Sequence, residues 1–320
     1  MDKFLWTKLG KVFDPGEHRT EWMQEFAQGP CVLEFDDFIR IYFSCRPRPD
    51  ENKQYVSYSA FTDFSRDSKF TLLRVADRPI LRLGDTGTFD EFGTYPVSVI
   101  REGKEVIAYY AGWTRCESVP FNVAIGRAVS HDTGKTFIRS GNGPVLSFDP
   151  EEPFVLSGPK IRKYNGRYYL WYIAGREWIK DNGRPEPVYK IRMASSYDGF
   201  SWQREHRDII TSKIDDEAQA SPDVFYKNGR YHMFFCYRFG TGYRGKERGY
   251  RIGYAWSEDL LHWIRDDERA GIDVSDEGWD SEMLSYPHLW ENNGIIYLFY
   301  LGNSVGREGF GVARLENQLL

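Results

Sequence analysis

The chain has 320 residues, 41% hydrophobic and 17% aromatic, so it carries enough apolar surface for a large core and lacks the composition of a disordered protein. Its 42 basic and 47 acidic residues are scattered and give a net charge of −5, which disfavours nucleic acid and anionic membranes as partners. No apolar run has the length of a signal peptide or a membrane span. We therefore expect a single cytoplasmic domain over residues 1–320.

The cysteines show no CxxC pairing, and no histidine stands beside them at the spacing of a zinc site. We interpret Cys31, Cys45, Cys116 and Cys236 as reduced structural thiols. A Gly-rich phosphate loop between a strand and a helix is also missing, so the sequence predicts no organic cofactor and no required metal.

A short strand is predicted at Leu5–Leu9, and five similar segments follow it along the chain. Their channel prolines lie 66, 63, 63 and 65 residues apart, a regularity typical of a repeat architecture. The segments are GPCVLEFDDFIRIYFSCR (29–46), YPVSVIREGKEVIAYYAGWTR (95–115), GPKIRKYNGRYYLWYIAGR (158–176), SPDVFYKNGRYHMFFCYR (221–238) and YPHLWENNGIIYLFYLGN (286–303). The prolines are Pro30, Pro96, Pro159, Pro222 and Pro287.

Each segment contains an apolar strand, a turn and an aromatic strand, which together predict a β-hairpin. A third strand follows, and in four units a fourth strand carries Phe70, Phe137, Trp202 or Trp263. Because the fifth unit ends after its third strand, we expect Leu5–Leu9 with Trp6 to complete it and close the ring. The sequence thus predicts an all-β, five-bladed β-propeller of four-stranded antiparallel blades. Aromatic residues of the strands, such as Phe43 and Trp171, are interpreted as core between blades.

The first strand of a propeller blade lines the central channel, so the residues around the five prolines are expected to converge there. Five positions before a proline, four blades carry a glutamate: Glu25, Glu91, Glu217 and Glu282. Further polar candidates near the same level are Asp90, Tyr95, Lys160, Asp223, Asp280, Tyr286 and His288. The ends of the second strands add Arg46, Trp113, Arg115, Arg176, Glu177, Arg238 and Asn303. Carboxylates, arginines and aromatic rings around a cavity suit a polyhydroxylated sugar ring.

Two structural alternatives remain open for these residues. A carboxylate that recurs in every blade can accept backbone N–H bonds in equivalent loops, and the recurring arginines can form ion pairs between blades. The Asp-containing turns at Ser130–Gly134 and Ser196–Gly199 are explained by turn geometry without calcium.

The repeated proline–strand–turn–aromatic pattern, with FDEFGTYPVSVI, SGPKIRKYNGRYYLWYIAG and LGNSVGREGFGVARLE, resembles the five-bladed propeller glycoside hydrolases of families 43, 32, 62, 68, 117 and 130. In the family 43 type, the resemblance implies an Asp before the proline in blades 1 and 2 and a Glu two positions before it in blade 3. This chain has Gln28-Gly29-Pro30, Thr94-Tyr95-Pro96 and Ser157-Gly158-Pro159 instead. That catalytic triad therefore cannot be transferred.

Glycoside cleavage needs two carboxyl groups across the scissile bond, and other pairs are available. We expect Glu217, crowded by neighbouring acids, to act as the acid with Asp90 or Glu91, while Asp223 and Glu282 are further candidates. The leading hypothesis is a glycosidase for a small acidic or modified glycan. A phosphorylase, with phosphate held by Arg115, Arg176, Arg238 and His288, and a non-catalytic sugar-binding propeller are the alternatives.

Overall fold

The structure is a computed structural model that describes residues 2–67 and 69–319. Its strands form five antiparallel sheets of four strands each. Blade 1 contains β2 (Glu25–Glu34), β3 (Phe38–Arg46), β4 (Tyr58–Ser65) and β5 (Leu72–Val75). Blade 2 contains β6 (Gly93–Glu102), β7 (Glu105–Thr114), β8 (Asn122–Ser130) and β9 (Ile138–Arg139). Blade 3 contains β10 (Ser157–Tyr164), β11 (Arg167–Asp181), β12 (Arg184–Ser196) and β13 (Gln203–Arg204).

Blade 4 contains β14 (Ala218–Lys227), β15 (Arg230–Arg238), β16 (Arg251–Ser257) and β17 (Ile264–Arg265). Blade 5 contains β18 (Ser285–Asn292), β19 (Ile295–Leu301), β20 (Phe310–Leu315) and β1 (Trp6–Phe13). Two 3-10 turns at Pro15–Glu17 and Asp267–Ala270 and one helical turn at Asn303–Gly306 complete the described elements. The predicted five-bladed propeller is confirmed.

The ring closes through the N-terminal strand. Strand β1 pairs antiparallel with β20, with Trp6 opposite Leu315 and Phe13 opposite Phe310. The sequence predicted this strand at Leu5–Leu9, and the structure extends it to Phe13. Pairing the first strand with the last unit removes an open sheet edge, which is how a propeller avoids edge-to-edge association.

The recurring aromatic residue near each fourth strand packs against the preceding blade. Phe70 of blade 1 contacts Tyr297 of blade 5 at a ring distance of 5.3 Å, and Trp6 of blade 5 contacts Phe234 of blade 4 at 5.8 Å. The other members follow the same rule: Phe137 contacts Tyr42, Trp202 contacts Tyr109, and Trp263 packs in a cluster with Trp171. These contacts explain the repeat, since each blade buries a ring on its neighbour.

Each inner strand is bulged at its channel proline. The register of all five inner strands shifts there, between Gln28 and Cys31 in blade 1 and between Ser285 and His288 in blade 5, for example. Proline has no N–H for the ladder, and a bulge accommodates this loss while turning the neighbouring side chain. The residue before the proline has a positive φ in four blades: Gly29, Gly158, Ser221 and Tyr286. The bulges therefore require a left-handed backbone before the proline, which glycine supplies in blades 1 and 3.

Candidate functional site

The top face is defined here as the end of the propeller at which the inner strands β2, β6, β10, β14 and β18 begin. Four tyrosines meet on it. The hydroxyls of Tyr95 and Tyr286, which both precede a channel proline, are 2.5 Å apart, and those of Tyr189 and Tyr250 are also 2.5 Å apart. Tyr95 and Tyr286 are partly exposed, whereas Tyr189 and Tyr250 are buried beneath them.

The phenols of Tyr95, Tyr250 and Tyr286 stay protonated across the physiological range. Burial raises the pKa of Tyr95 to about 12 and raises the pKa values of Tyr250 and Tyr286 well above the ordinary value. Neutral hydroxyls can both donate and accept hydrogen bonds. The partly exposed pair can therefore bind the hydroxyl or anionic group of a ligand.

Arg46 lies beside this tyrosine cluster in an aromatic cage. Its guanidinium carbon is 4.7 Å from the ring centre of Phe26, 5.2 Å from that of Tyr55 and 5.5 Å from that of Tyr95. Its buried Nε has no hydrogen-bond partner, and within residues 2–67 and 69–319 no carboxylate forms an ion pair with it. Arginine remains charged at any physiological pH, so the top face holds an uncompensated cation.

Arg238 supplies a second guanidinium on the other side of the tyrosines. It is 2% exposed, and its nitrogens donate to the Tyr250 hydroxyl and to the carbonyl oxygens of Pro187 and Phe239. No carboxylate pairs with it in the part of the chain that the structure describes. Arg46 and Arg238 together make the tyrosine cluster electropositive.

Glu25 is a carboxylate beside this cluster, paired in register with Arg46 at the start of β2. Its Oε1 accepts a hydrogen bond from the Tyr55 hydroxyl at 2.6 Å, and its Oε2 lies 3.1 Å from the Arg307 Nε. About a quarter of the side chain, 24%, stays exposed. We call Glu25, Arg46, Tyr55, Tyr95 and Tyr286 the axial cluster.

Lys160, Asp223 and His288 each follow a channel proline on an inner strand and meet there, and we call them the channel plug. Lys160 Nζ is 3.4 Å from His288 Nδ1, and Asp223 Oδ1 is 3.3 Å from the same nitrogen. The Val32 N–H donates to His288 Nε2, which therefore requires a neutral imidazole with its proton on Nδ1. Burial lowers the pKa of His288 to about 4, in agreement with that tautomer.

The carboxylate of Asp223 supplies the negative charge of this channel plug. Although burial alone raises a carboxyl pKa, Arg162 at 2.6 Å and the neighbouring His288 hold the pKa of Asp223 well below its usual range. Asp223 also accepts from the Leu289 N–H. The three plug residues are each no more than 5% exposed.

Glu217 and Asp90 point instead to the outermost strands. Glu217 is fully buried, and its carboxylate accepts from Arg265 Nη1 at 2.6 Å and from Gln219 Nε2 at 2.7 Å. Asp90 is 1% exposed and lies 2.6 Å from Arg139. Two further blades repeat the arrangement, with Glu152 bonded to Arg204 and Asp280 bonded to Lys8. We call these ion pairs the blade clasps; in blades 2 to 5 they tie the loop before the inner strand to the fourth strand of the same blade.

The remaining predicted residues lie around the rim. Glu91 accepts from the Gly87 N–H, and the Glu282 N–H donates to Asn303 Oδ1. Arg115 stacks on Phe92 at 4.3 Å. Trp113 also lies over Phe92, Arg176 pairs with Asp208, and Glu177 is exposed beside it. The roles assigned to all of these residues, and to Glu217 and Asp90, remain predictions.

The sequence-based candidates omitted Tyr55, Tyr189, Tyr250 and Arg307. The first three lie where the third-strand segment of the repeat begins, and an aromatic residue recurs there in blades 1, 3 and 4. That recurrence is the sequence pattern by which these three tyrosines could have been identified. Arg307 follows the short turn after β19 and has no counterpart in the repeat.

No protein-family profile matches the chain. The Mycobacterium tuberculosis (strain H37Rv) protein described as Uncharacterized protein Rv1502 is 36% identical over 314 residues, covering 98% of this chain and 99% of the relative. The β-1,2-mannobiose phosphorylase of Thermoanaerobacter sp. is 27% identical over 176 residues, or 52% of this chain and 54% of that protein.

Solved structures share the fold. The structure of BT0996 in an RGII complex superposes with a TM-score of 0.75 at 16% identity, covering 99% of this chain and 93% of that one. The Listeria innocua β-1,2-mannobiose phosphorylase in complex with β-1,2-mannobiose superposes with a TM-score of 0.68 at 15% identity, covering 98% and 96%. The expected likeness to the five-bladed propeller glycoside hydrolases, including their phosphorylase branch, is confirmed for the fold. Within the described residues, no helix has the length and hydropathy that a membrane-spanning helix needs.

Proposed function

Because the chain belongs to the family of the mycobacterial protein Rv1502 and has the fold of propeller glycoside hydrolases, we propose that it cleaves glycosidic bonds at the axial cluster. The substrate is a small glycan that either carries an anionic group itself or reacts with a separate anion such as phosphate. One observation carries this proposal: Arg46, a caged cation with no counter-ion among the described residues, adjoins the neutral hydroxyls of Tyr95 and Tyr286. A guanidinium beside hydroxyl donors suits a carboxylate or phosphate.

Glu25 is the carboxylate placed to act as the acid. Its side chain is 24% exposed and its oxygens contact Tyr55 and Arg307, whereas Glu217 and Asp90 are buried in the blade clasps. In the proposed step, a phosphate oxygen, or the oxygen of a water that gives its proton to a second carboxylate, bonds to the anomeric carbon as the glycosidic C–O bond breaks, and Glu25 gives its proton to the leaving oxygen.

Phosphorolysis is the second candidate. Hydrolysis requires a second carboxylate to activate water or to attack the sugar, whereas phosphate brings its own attacking oxygen and needs only an anion site. A partly exposed carboxylate such as Glu25 beside an arginine suits the latter reaction, and the partial similarity to a β-1,2-mannobiose phosphorylase favours it.

The test is a screen of aryl glycosides and disaccharides with purified protein, with and without inorganic phosphate. We expect turnover that Glu25→Gln lowers by about 10²–10⁴-fold, the usual contribution of an acid, while Glu247→Gln on an exposed loop leaves it unchanged. Dependence on phosphate identifies the phosphorylase. Sugar binding without turnover identifies the non-catalytic propeller and refutes the proposed cleavage.

A further inference from the structure

The bottom face of the propeller, at the end opposite the axial cluster, carries a run of aromatic side chains on blades 3 and 4. The inner strands β10 and β14 end there at Tyr164 and Lys227, and β11 and β15 begin there at Arg167 and Arg230. The turn that follows β12 adds Tyr197. We call the following residues the tyrosine strip: Tyr164, Arg167, Tyr169, Tyr197, Tyr226 and Tyr231.

Contacts between neighbouring side chains make the strip continuous from blade 3 to blade 4. The guanidinium carbon of Arg167 lies 5.2 Å from the ring centre of Tyr197 and 5.9 Å from that of Tyr169. The ring centre of Tyr164 is 6.1 Å from that of Tyr169 and 5.1 Å from that of Tyr231. A ligand that lies along this face therefore meets one connected surface instead of separate rings.

The blade 4 end of the strip is held in place before any ligand binds. Tyr226 and Tyr231 stand opposite each other in the β14–β15 hairpin, with ring centres 4.8 Å apart. The Tyr164 hydroxyl donates to the Val224 carbonyl at 3.1 Å and joins blade 3 to blade 4. Binding to a preformed surface avoids the entropy cost of ordering side chains.

The fold does not require aromatic residues at the two most exposed positions of the strip. Tyr197 is 78% exposed and Tyr226 is 51% exposed, so neither ring is part of the core. Tyr226 stands four positions after its channel proline, and Tyr197 directly follows the serine of the Asp-containing turn. Other blades carry Glu34, Ile100, Lys163 and Glu291 at the first position and Arg66, His131 and Glu258 at the second. Contiguous exposed aromatic surface of this kind marks an interaction site.

The charged side chains around the strip are close to balance. The cations that border it face carboxylates: Lys163 with Glu102 at 2.8 Å, Lys227 with Glu291 at 2.7 Å and Arg230 with Glu258 at 4.0 Å. Within the strip, Arg167 has a counterpart in the exposed Asp198, which follows Tyr197 in the same turn. A surface with little net charge does not favour a polyanion such as an acidic glycan or a nucleic acid.

The strip also presents phenol groups that are open to a ligand. Within residues 2–67 and 69–319, the hydroxyls of Tyr169, Tyr197, Tyr226 and Tyr231 have no hydrogen-bond partner. A phenol hydroxyl both donates and accepts hydrogen bonds, and the ring beside it offers an apolar face. This combination suits a neutral chain of sugar units, whose rings have apolar C–H faces and hydroxyl edges.

We propose that the tyrosine strip is a glycan-binding site separate from the axial cluster, which holds a stretch of a neutral polysaccharide on the bottom face. Such a site keeps the protein on a polymer while the top face stays free. The inference requires no reaction at the axial cluster and is tested by binding alone.

The test is affinity gel electrophoresis in gels that contain glucomannan, arabinoxylan, dextran or, as the acidic comparison, polygalacturonate. We expect at least one neutral polysaccharide to retard the wild-type protein. The double variant Tyr197→Ala/Tyr226→Ala should bind that polysaccharide about tenfold more weakly because two aromatic contacts are lost. Tyr197→Phe/Tyr226→Phe keeps the rings and should lose less. Phe148→Ala, which removes another exposed aromatic ring, is the matched control and should not change the retardation.

The outcomes separate this site from the proposed cleavage. Retardation that depends on Tyr197 and Tyr226 supports the strip even where no glycoside is turned over, and the double variant should leave any turnover of small glycosides within about twofold. Retardation by no neutral polysaccharide, or unchanged retardation of the double variant, overturns the site even where cleavage is observed. A wild-type dimer in size-exclusion chromatography that the double variant converts to a monomer would assign the strip to self-association and also overturn the glycan site.

Discussion

At the scale of single residues, two glutamates at equivalent positions of the repeat have different surroundings, because their backbones direct the side chains differently. Glu25 and Glu217 both stand five positions before a channel proline. Glu25 remains partly exposed at the axial cluster, whereas Glu217 is fully buried against Arg265 of the fourth strand. Spacing identified a structural repeat, and only the direction of each side chain decides which of these glutamates is accessible.

Glu217→Gln is expected to lower stability more than activity. The change keeps the shape but removes the charge that faces Arg265, and hydrogen bonds to charged groups contribute about 1.5–3 kcal/mol. Urea unfolding should show a loss of about that size, and Glu247→Gln should stay within about 0.5 kcal/mol. A variant with unchanged stability and a 10²-fold loss of turnover would instead support Glu217 as the acid.

Gly29→Ala is expected to be costly because the blades approach closely at the channel. Gly29 has a φ of 66°, and an added Cβ would lie 2.9 Å from the Cβ of Pro96 in blade 2. Gly103 is a matched control, since its φ is 59° but its added Cβ would meet nothing within 4 Å. Thermal unfolding should show Gly29→Ala to be less stable than Gly103→Ala by about 1–3 kcal/mol. Equal losses would show that the channel relaxes freely.

At the scale of elements, β1 connects the two ends of the chain. It pairs with β20 along its length, and Lys8 on it pairs with the buried Asp280 at 2.8 Å. Trp6 also donates to the Ala270 carbonyl and packs on blade 4. A single strand thus completes a sheet, a blade clasp and an interface between blades.

Deletion of residues 1–10 is therefore expected to abolish cooperative folding. The truncated chain exposes the edge of β20 and leaves Asp280 with only the Tyr300 hydroxyl among the side-chain partners described. Circular dichroism and size-exclusion chromatography should show an expanded or aggregated protein, whereas Lys8→Ala alone should unfold cooperatively at a lower denaturant concentration. A truncated protein with the wild-type midpoint would mean that the closing strand is dispensable.

At the scale of the whole molecule, two buried neutral histidines link stability to pH. Burial lowers the pKa values of His288 and His232 to about 4 from the ordinary 6.5. Between about pH 4 and pH 6.5 the two histidines are protonated in the unfolded chain but neutral in the folded chain. Their contribution to the free energy of unfolding is therefore complete above about pH 6.5 and falls as the pH drops toward 4. Each histidine contributes a slope of up to about 1.4 kcal/mol per pH unit.

Urea unfolding at pH 7, 6 and 5 should show this decline. Because His232 lies outside the channel, on β15 against Tyr254, a His232→Gln variant should flatten the slope without disturbing the axial cluster. An exposed histidine, His262, provides the control through His262→Gln. A wild-type stability that is constant from pH 7 to pH 5 would contradict the neutral state of both buried histidines.

The sequence by itself determined the architecture of this protein. Five prolines at nearly constant spacing, aromatic second strands and the missing fourth strand of the last unit are local patterns, and alternation and turns are enough to specify a blade. The tertiary structure alone decided the site. The cage around Arg46 takes Phe26 and Tyr55 from blade 1 and Tyr95 from blade 2, and Glu25 pairs with Arg307, 282 positions away along the chain. Whether a carboxylate binds substrate or supports a blade depends on bulges and on partners in other strands, which no local pattern encodes.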